Sequence, residues 1–117
     1  DIDPEELHKK ILQIKEGKYS FSVDFYPNFS NAELKRYYCD LGYQAKGSSC
    51  LSPWVVAYIF PDGEIRPCLN SSYSFGNIVK NPLALLWNSE KAIAYRRALL
   101  RQGIFPVCAR CTELYRY

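Results

Sequence analysis

Hydrophobic positions recur along this chain with two different periods, and the change of period marks its elements. Leu7, Ile11 and Ile14 repeat at helical spacing, while His8, Lys9, Lys10 and Lys15 fall on the opposite side. Asp3 is placed to cap, Pro4 suits a first turn, Glu5 and Glu6 complement its positive end, and Gly17 ends the run. Tyr19, Phe21, Val23 and Phe25 then alternate with polar residues, which predicts a half-buried strand over Tyr19–Tyr26, closed by Pro27. Ser30 or Asn31 caps a short helix from Ala32 to about Asp40, followed by Gly42. A single strand between two helices has nothing in its own neighbourhood to pair with, so this segment calls for a sheet from elsewhere.

The pattern changes beyond a loop at Gly47-Ser-Ser-Cys50, and a domain boundary is placed near residue 45, giving units 1–45 and 46–117. Trp54–Phe60 is an apolar run of strand length, Pro61-Asp62-Gly63 a tight turn, and Glu64–Pro67 a returning strand that delivers Cys68. Asn81 and Pro82 open a helix through Trp87, with Asn81 as cap. A second helix runs from Ser89 or Glu90 to about Gln102, where Gly103 stops it. The fold class is therefore α+β: a small β-hairpin and C-terminal helices, preceded by a helix–strand–helix segment.

Composition adds two constraints. The formal charge is only +3, but it is uneven: residues 81–117 hold six basic side chains against Glu90 and Glu113. That basic balance is read as the solvated face of a helix, with docking to nucleic acid a remote reading. No apolar run is long enough to cross a membrane, and no signal peptide opens the chain. The chain starts at Asp1 and contains no Met, which suggests a piece of a longer protein. Five cysteines without a secretory signal point to a reducing, cytoplasmic setting and to metal ligation before disulfides.

Cys108-x-x-Cys111 puts two thiols on one tight turn. The hairpin between Cys50 and Cys68 folds its 17 intervening residues back on themselves, and two helices lie in the 39 residues before Cys108. Four thiolates suit tetrahedral zinc or an iron–sulfur cluster, and spacing alone does not choose between them.

Further anchors surround these cysteines in a fixed order. Gly63-x-x-x-x-Cys68 is followed by Phe75-Gly-Asn-Ile78, Leu83-x-x-Leu-Trp-Asn-Ser89 and Pro106-x-Cys108-x-x-Cys111. With Cys50 in front, this order resembles the auxiliary-cluster domain at the C-terminus of radical SAM enzymes, the SPASM domain and its shorter relative, the twitch domain. The resemblance implies one [4Fe–4S] cluster held by Cys50, Cys68, Cys108 and Cys111, serving electron transfer or substrate positioning; the alternative that spacing leaves is zinc on the same four cysteines in a structural or interaction module. It implies that residues 1–45 are the last helix–strand–helix of a partial (β/α) barrel, the chain's partner. A peptide, protein or small-molecule substrate is implied with it. Full SPASM domains continue with more cysteines, whereas only Thr-Glu-Leu-Tyr-Arg-Tyr follows Cys111. The C-x3-C-x2-C motif of radical SAM enzymes is absent as well, so S-adenosylmethionine enters only through that barrel and the chain is not catalytic alone. Self-association through the apolar face the barrel would cover is expected.

Cys39, beside Tyr37 and Tyr38, is read as a core thiol, His8 as solvated, and Trp54 and Trp87 as core anchors. Gly63 is expected at positive φ, and Gly76 at a close backbone approach near the cluster. Arg66 and Arg110 flank cluster cysteines. They either balance thiolate charge or are ordinary surface arginines.

Overall fold

The computed structural model describes residues 2–43 and 50–115. The expected loop at Gly47–Ser49 and the boundary near residue 45 lie outside the described residues.

Helix α1 (Pro4–Glu16) starts as its sequence dictates: the Asp3 carboxylate accepts from the Glu5 amide at 2.9 Å, and Pro4 fills the first helical position. Helix α2 (Asn31–Cys39) is closed at its N-terminus by a capping box. Ser30 Oγ accepts from the Glu33 amide, and the Glu33 carboxylate accepts from the Ser30 amide. The two helices pack together, with Leu7, Ile11 and Ile14 of α1 facing Leu34 and Tyr37 of α2 across a cleft. Leu34 is fully buried, whereas Ile14 stays largely exposed.

The expected strand at Tyr19–Tyr26 does not form. The segment is irregular, with bends at Ser20 and Phe21, and unpaired, because the described part of the chain offers it no neighbouring strand. Tyr19, Phe21 and Val23 are consequently exposed, Phe21 to 67%, while Phe25 is half-buried.

The second half begins with a helical turn, α3 (Ser52–Val55), where a strand was expected from Trp54. Pro53 favours a first helical turn, and the Val56 amide donates back to the Ser52 carbonyl at 2.9 Å. Pairing is thereby limited to β1 (Tyr58–Ile59) against β2 (Glu64–Arg66), in the register Tyr58 to Arg66 and Ile59 to Ile65. Gly63 closes the hairpin at φ +82°, as expected. A third strand, β3 (Gly76–Asn77), adds to the other edge of β2, so the sheet runs β1-β2-β3, antiparallel throughout. Asn77 locks the turn to this edge: its side-chain amide donates to the Asp62 carbonyl at 2.7 Å, and its side-chain oxygen accepts from the Val79 amide at 2.9 Å.

Helix α4 (Leu83–Trp87) starts one residue later than expected. Pro82 is its N-cap, because its extended backbone presents its carbonyl to the Leu85 and Leu86 amides, and Asn81 stands outside. Helix α5 (Glu90–Gln102) is capped by Ser89, whose hydroxyl accepts from the Ala92 amide, and ends at Gly103 with φ +80°.

The core lies between sheet and helices. Ile65, Phe75, Leu86 and Ala92 are buried together, and Ala57, Trp87 and Tyr95 pack against them. Trp87 thus acts as the anchor expected, while Trp54 is only half-buried beside Cys50. Gly76 does meet a close approach, at φ +132°, but its neighbour is the buried Leu86 side chain. Among the described residues, no helix is long and apolar enough to cross a membrane.

Candidate metal centre

The four predicted cysteines are carried by three local devices. Cys50 stands two residues before α3. Cys68 follows β2 and the buried Pro67, and its carbonyl accepts from the Ser71 amide at 3.4 Å. A 3-10 turn, Pro106–Cys108, delivers Cys108, and the Cys111 amide then donates to the Cys108 carbonyl at 3.1 Å. Between them Arg110 takes a left-handed φ of 57°, and its amide donates to the Tyr43 carbonyl at 2.8 Å. This bond ties the Cys-x-x-Cys turn to the end of the N-terminal segment. A second tie is made where the Tyr26 hydroxyl donates to the Thr112 carbonyl at 2.8 Å.

These devices bring all four thiols to one cavity, whose remaining wall combines apolar Pro53, Leu99, Val107 and Leu114 with Ser52, Asn70, Tyr95 and Glu113. Burial pushes the Cys50, Cys68 and Cys108 thiols up, and nearby thiols push in the same direction. Backbone amides oppose this: Ser52 at Cys50, Asn70 and Ser71 at Cys68, and Phe105 at Cys108. Burial also holds the Tyr95 hydroxyl up at about 12, against a hydrogen bond with Ser71 that lowers it.

The donor set is soft and anionic once deprotonated, and the amides aimed at its sulfurs suit a thiolate-bound centre. Among the described residues, no three His, Cys, Asp or Glu side chains lie close enough together to hold a single metal ion. All four thiols nonetheless line one cavity. Residues 50–112 match the family of the SPASM iron–sulfur cluster-binding domain. The chain belongs to that family. The match spans more than half of the 117 residues and includes every cysteine of the cavity. No curated protein and no solved structure matches the chain. An iron–sulfur cluster is therefore the cofactor implied for this SPASM domain, and the residues at the cavity fit it.

Four other residues singled out in the sequence stand as follows. Cys39 is exposed on α2, away from the cavity, because its position on the helix faces opposite to the buried Leu34 side. Arg66 pairs with Glu64 and stacks on Phe60 at 4.1 Å, so its charge is engaged within the hairpin. Arg110 stacks on Tyr37 at 5.0 Å and lines a second cleft with Cys68 and Cys111. His8 is half-buried on α1 and stands outside the cysteine cavity.

The largest correction concerns Arg96. It is not on the solvated basic face of α5 but inside, 9% exposed, in line with Ala92 and Leu99. Its spacing from those two residues was the available signal, since i−4 and i+3 share one face of a helix.

Proposed function

We propose that Cys50, Cys68, Cys108 and Cys111 ligate a single [4Fe–4S] cluster and that the domain serves a radical SAM enzyme as its auxiliary-cluster unit. One observation carries this reading: four thiols from three separate stretches of a SPASM domain line one cavity. When bound, the cluster supplies electron transfer, the role favoured where every iron has a cysteine ligand. The chain's own residues prepare the place. Leu99, Val107, Pro53 and Leu114 exclude water, and the amides of Ser52, Asn70, Ser71 and Phe105 stabilise thiolates.

Residues 1–45 are read as the last helix–strand–helix of the barrel that binds S-adenosylmethionine in such an enzyme. The support is the unpaired segment at 17–30 with Tyr19, Phe21 and Val23 exposed. The isolated chain is expected to self-associate through that surface, and a clean monomer by light scattering at high concentration would count against it.

Anaerobic reconstitution with ferrous iron and sulfide tests the main claim. About four iron and four sulfide ions per chain, with thiolate-to-iron absorption, are expected. Stoichiometric zinc with no iron uptake would overturn it. Replacing Cys68 by Ala should lower the iron content, and unchanged iron would remove Cys68 from the ligand set.

A further inference from the structure

Among the described residues, Arg96 is a cation buried without a carboxylate in ion-pair contact. Its Nε donates to the Pro53 carbonyl at 2.8 Å and its Nη1 to the Trp87 carbonyl at 2.7 Å. The guanidinium stacks on Trp87 at 4.4 Å and approaches Phe75 at 5.8 Å. Nη2 is buried with no hydrogen-bond partner. Such a group is costly to desolvate, and an apolar side chain of similar volume would fill the same space at lower cost. General stability is therefore a poor account of it.

What the two carbonyls have in common is position. Pro53 lies in α3, three residues after Cys50, and Trp87 ends α4. The same α3 turn reaches the other side of the site, where the buried Ser52 hydroxyl donates to the Pro67 carbonyl at 3.3 Å, next to Cys68. The Ser52 amide in turn faces the Cys50 sulfur. A continuous path thus runs from α5 through Arg96 to the turn carrying Cys50, and from that turn to the residue before Cys68. Helix α5 also places Tyr95 and Leu99 in the wall of the thiol cavity. Cys50 needs such a tie more than Cys108 or Cys111, which share one turn, or Cys68, which is held by the sheet through β2.

We propose that Arg96 is a positioning residue that fixes the Cys50 turn against the other three thiols. This rests on the reading of the four cysteines as one ligand set. The guanidinium matters because its Nε and Nη1 serve two carbonyls at once while its cation sits over the Trp87 ring, which a lysine ammonium does not reproduce.

The test uses the whole chain without metal, pulsed with iodoacetamide under native conditions at fixed pH, with each thiol followed by peptide mass spectrometry. Replacing Arg96 by Met should accelerate Cys50 alkylation by about tenfold, the effect of losing one charge-assisted hydrogen bond on local opening. Cys68, Cys108 and Cys111 should change by less than about twofold, since the opening is local. Arg96→Lys should fall between wild type and Arg96→Met. Gly76→Ala, which disturbs the core without touching the Cys50 turn, should not favour Cys50 over the other three. Equal acceleration of all four thiols by Arg96→Met, or no acceleration, overturns the proposal, and a variant that fails to fold gives the first of these results. In the iron-loaded protein, Arg96→Met should show the spectroscopic signature of a three-iron cluster upon mild oxidation. If wild type takes up no iron, the ligand-set reading fails, while the alkylation result still decides what Arg96 does.

Discussion

Replacing Gly76 by Ala tests the packing that holds β3 to the helices, and its cost follows from two independent features. The backbone there has φ +132°, a conformation that L side chains rarely adopt, and forcing Ala into it costs about 1–3 kcal/mol. A Cβ at this position would also stand 2.5 Å from Leu86 Cδ2. Leu86 is buried in the core with Ile65 and Phe75, so it has little room to retreat, and overpacking of this kind costs about 1–3 kcal/mol. The total of about 2–6 kcal/mol is a large share of the 5–15 kcal/mol, roughly, that a domain of this size possesses. Urea unfolding of the metal-free chain, followed through Trp87, measures it: with m of about 1.5 kcal/mol/M, a 3 kcal/mol loss moves the midpoint down by about 2 M. Leu86→Ala removes the atom that clashes. Its own cost is about 2–5 kcal/mol, but the double variant should be more stable than the sum of the two losses predicts, by about 1–3 kcal/mol. A Gly76→Ala midpoint within about 0.5 kcal/mol of wild type would refute both features, and strict additivity would refute the contact with Leu86.

Ser30→Ala removes the capping box of α2 and should cost about 1 kcal/mol in a thermal or urea melt. The backbone and side-chain hydrogen bonds of Ser30 hold the Glu33 carboxyl below its ordinary value of 4.5. A depressed carboxyl contributes stability above its unfolded value and loses it as pH falls through the folded one. The gap between wild type and Ser30→Ala should therefore narrow between about pH 5 and pH 3, and a gap constant with pH would refute the role of Glu33. Cys39→Ser should leave iron content unchanged and stability within about 0.5 kcal/mol, because the thiol is exposed and apart from the cavity; lost iron would place Cys39 in the site. Arg66→Gln should cost about 0–1 kcal/mol in unfolding and leave the reduction potential of the loaded protein unchanged, since Glu64 and Phe60 already engage the guanidinium. A clear shift in potential would assign Arg66 to the cluster after all.

What was legible in the sequence depended on how local its cause was. Helices α1, α2 and α5 were placed from Asp3, Ser30 and Ser89 and from glycines at or just beyond their ends, because caps act within a few residues. The alternation at Tyr19–Phe25 predicted a strand that does not form, since a strand exists only when something pairs with it. Gly76-Asn77 was visible as a family anchor, yet two residues carry no period, so its place as a third strand required the fold of β2. The four cysteines were legible as a set through their order and the hairpin between two of them. How they are held was not, because the tie at Cys50 comes from a side chain 46 positions later in the chain. An arginine on the buried face of a helix conflicts with the local pattern. Conflicts of that kind are where function or strain is expected to reside. Arg96 satisfies that expectation only if loosening it frees Cys50 ahead of its three partners, which makes the thiol-by-thiol alkylation profile a test of the site's architecture as well as of one residue.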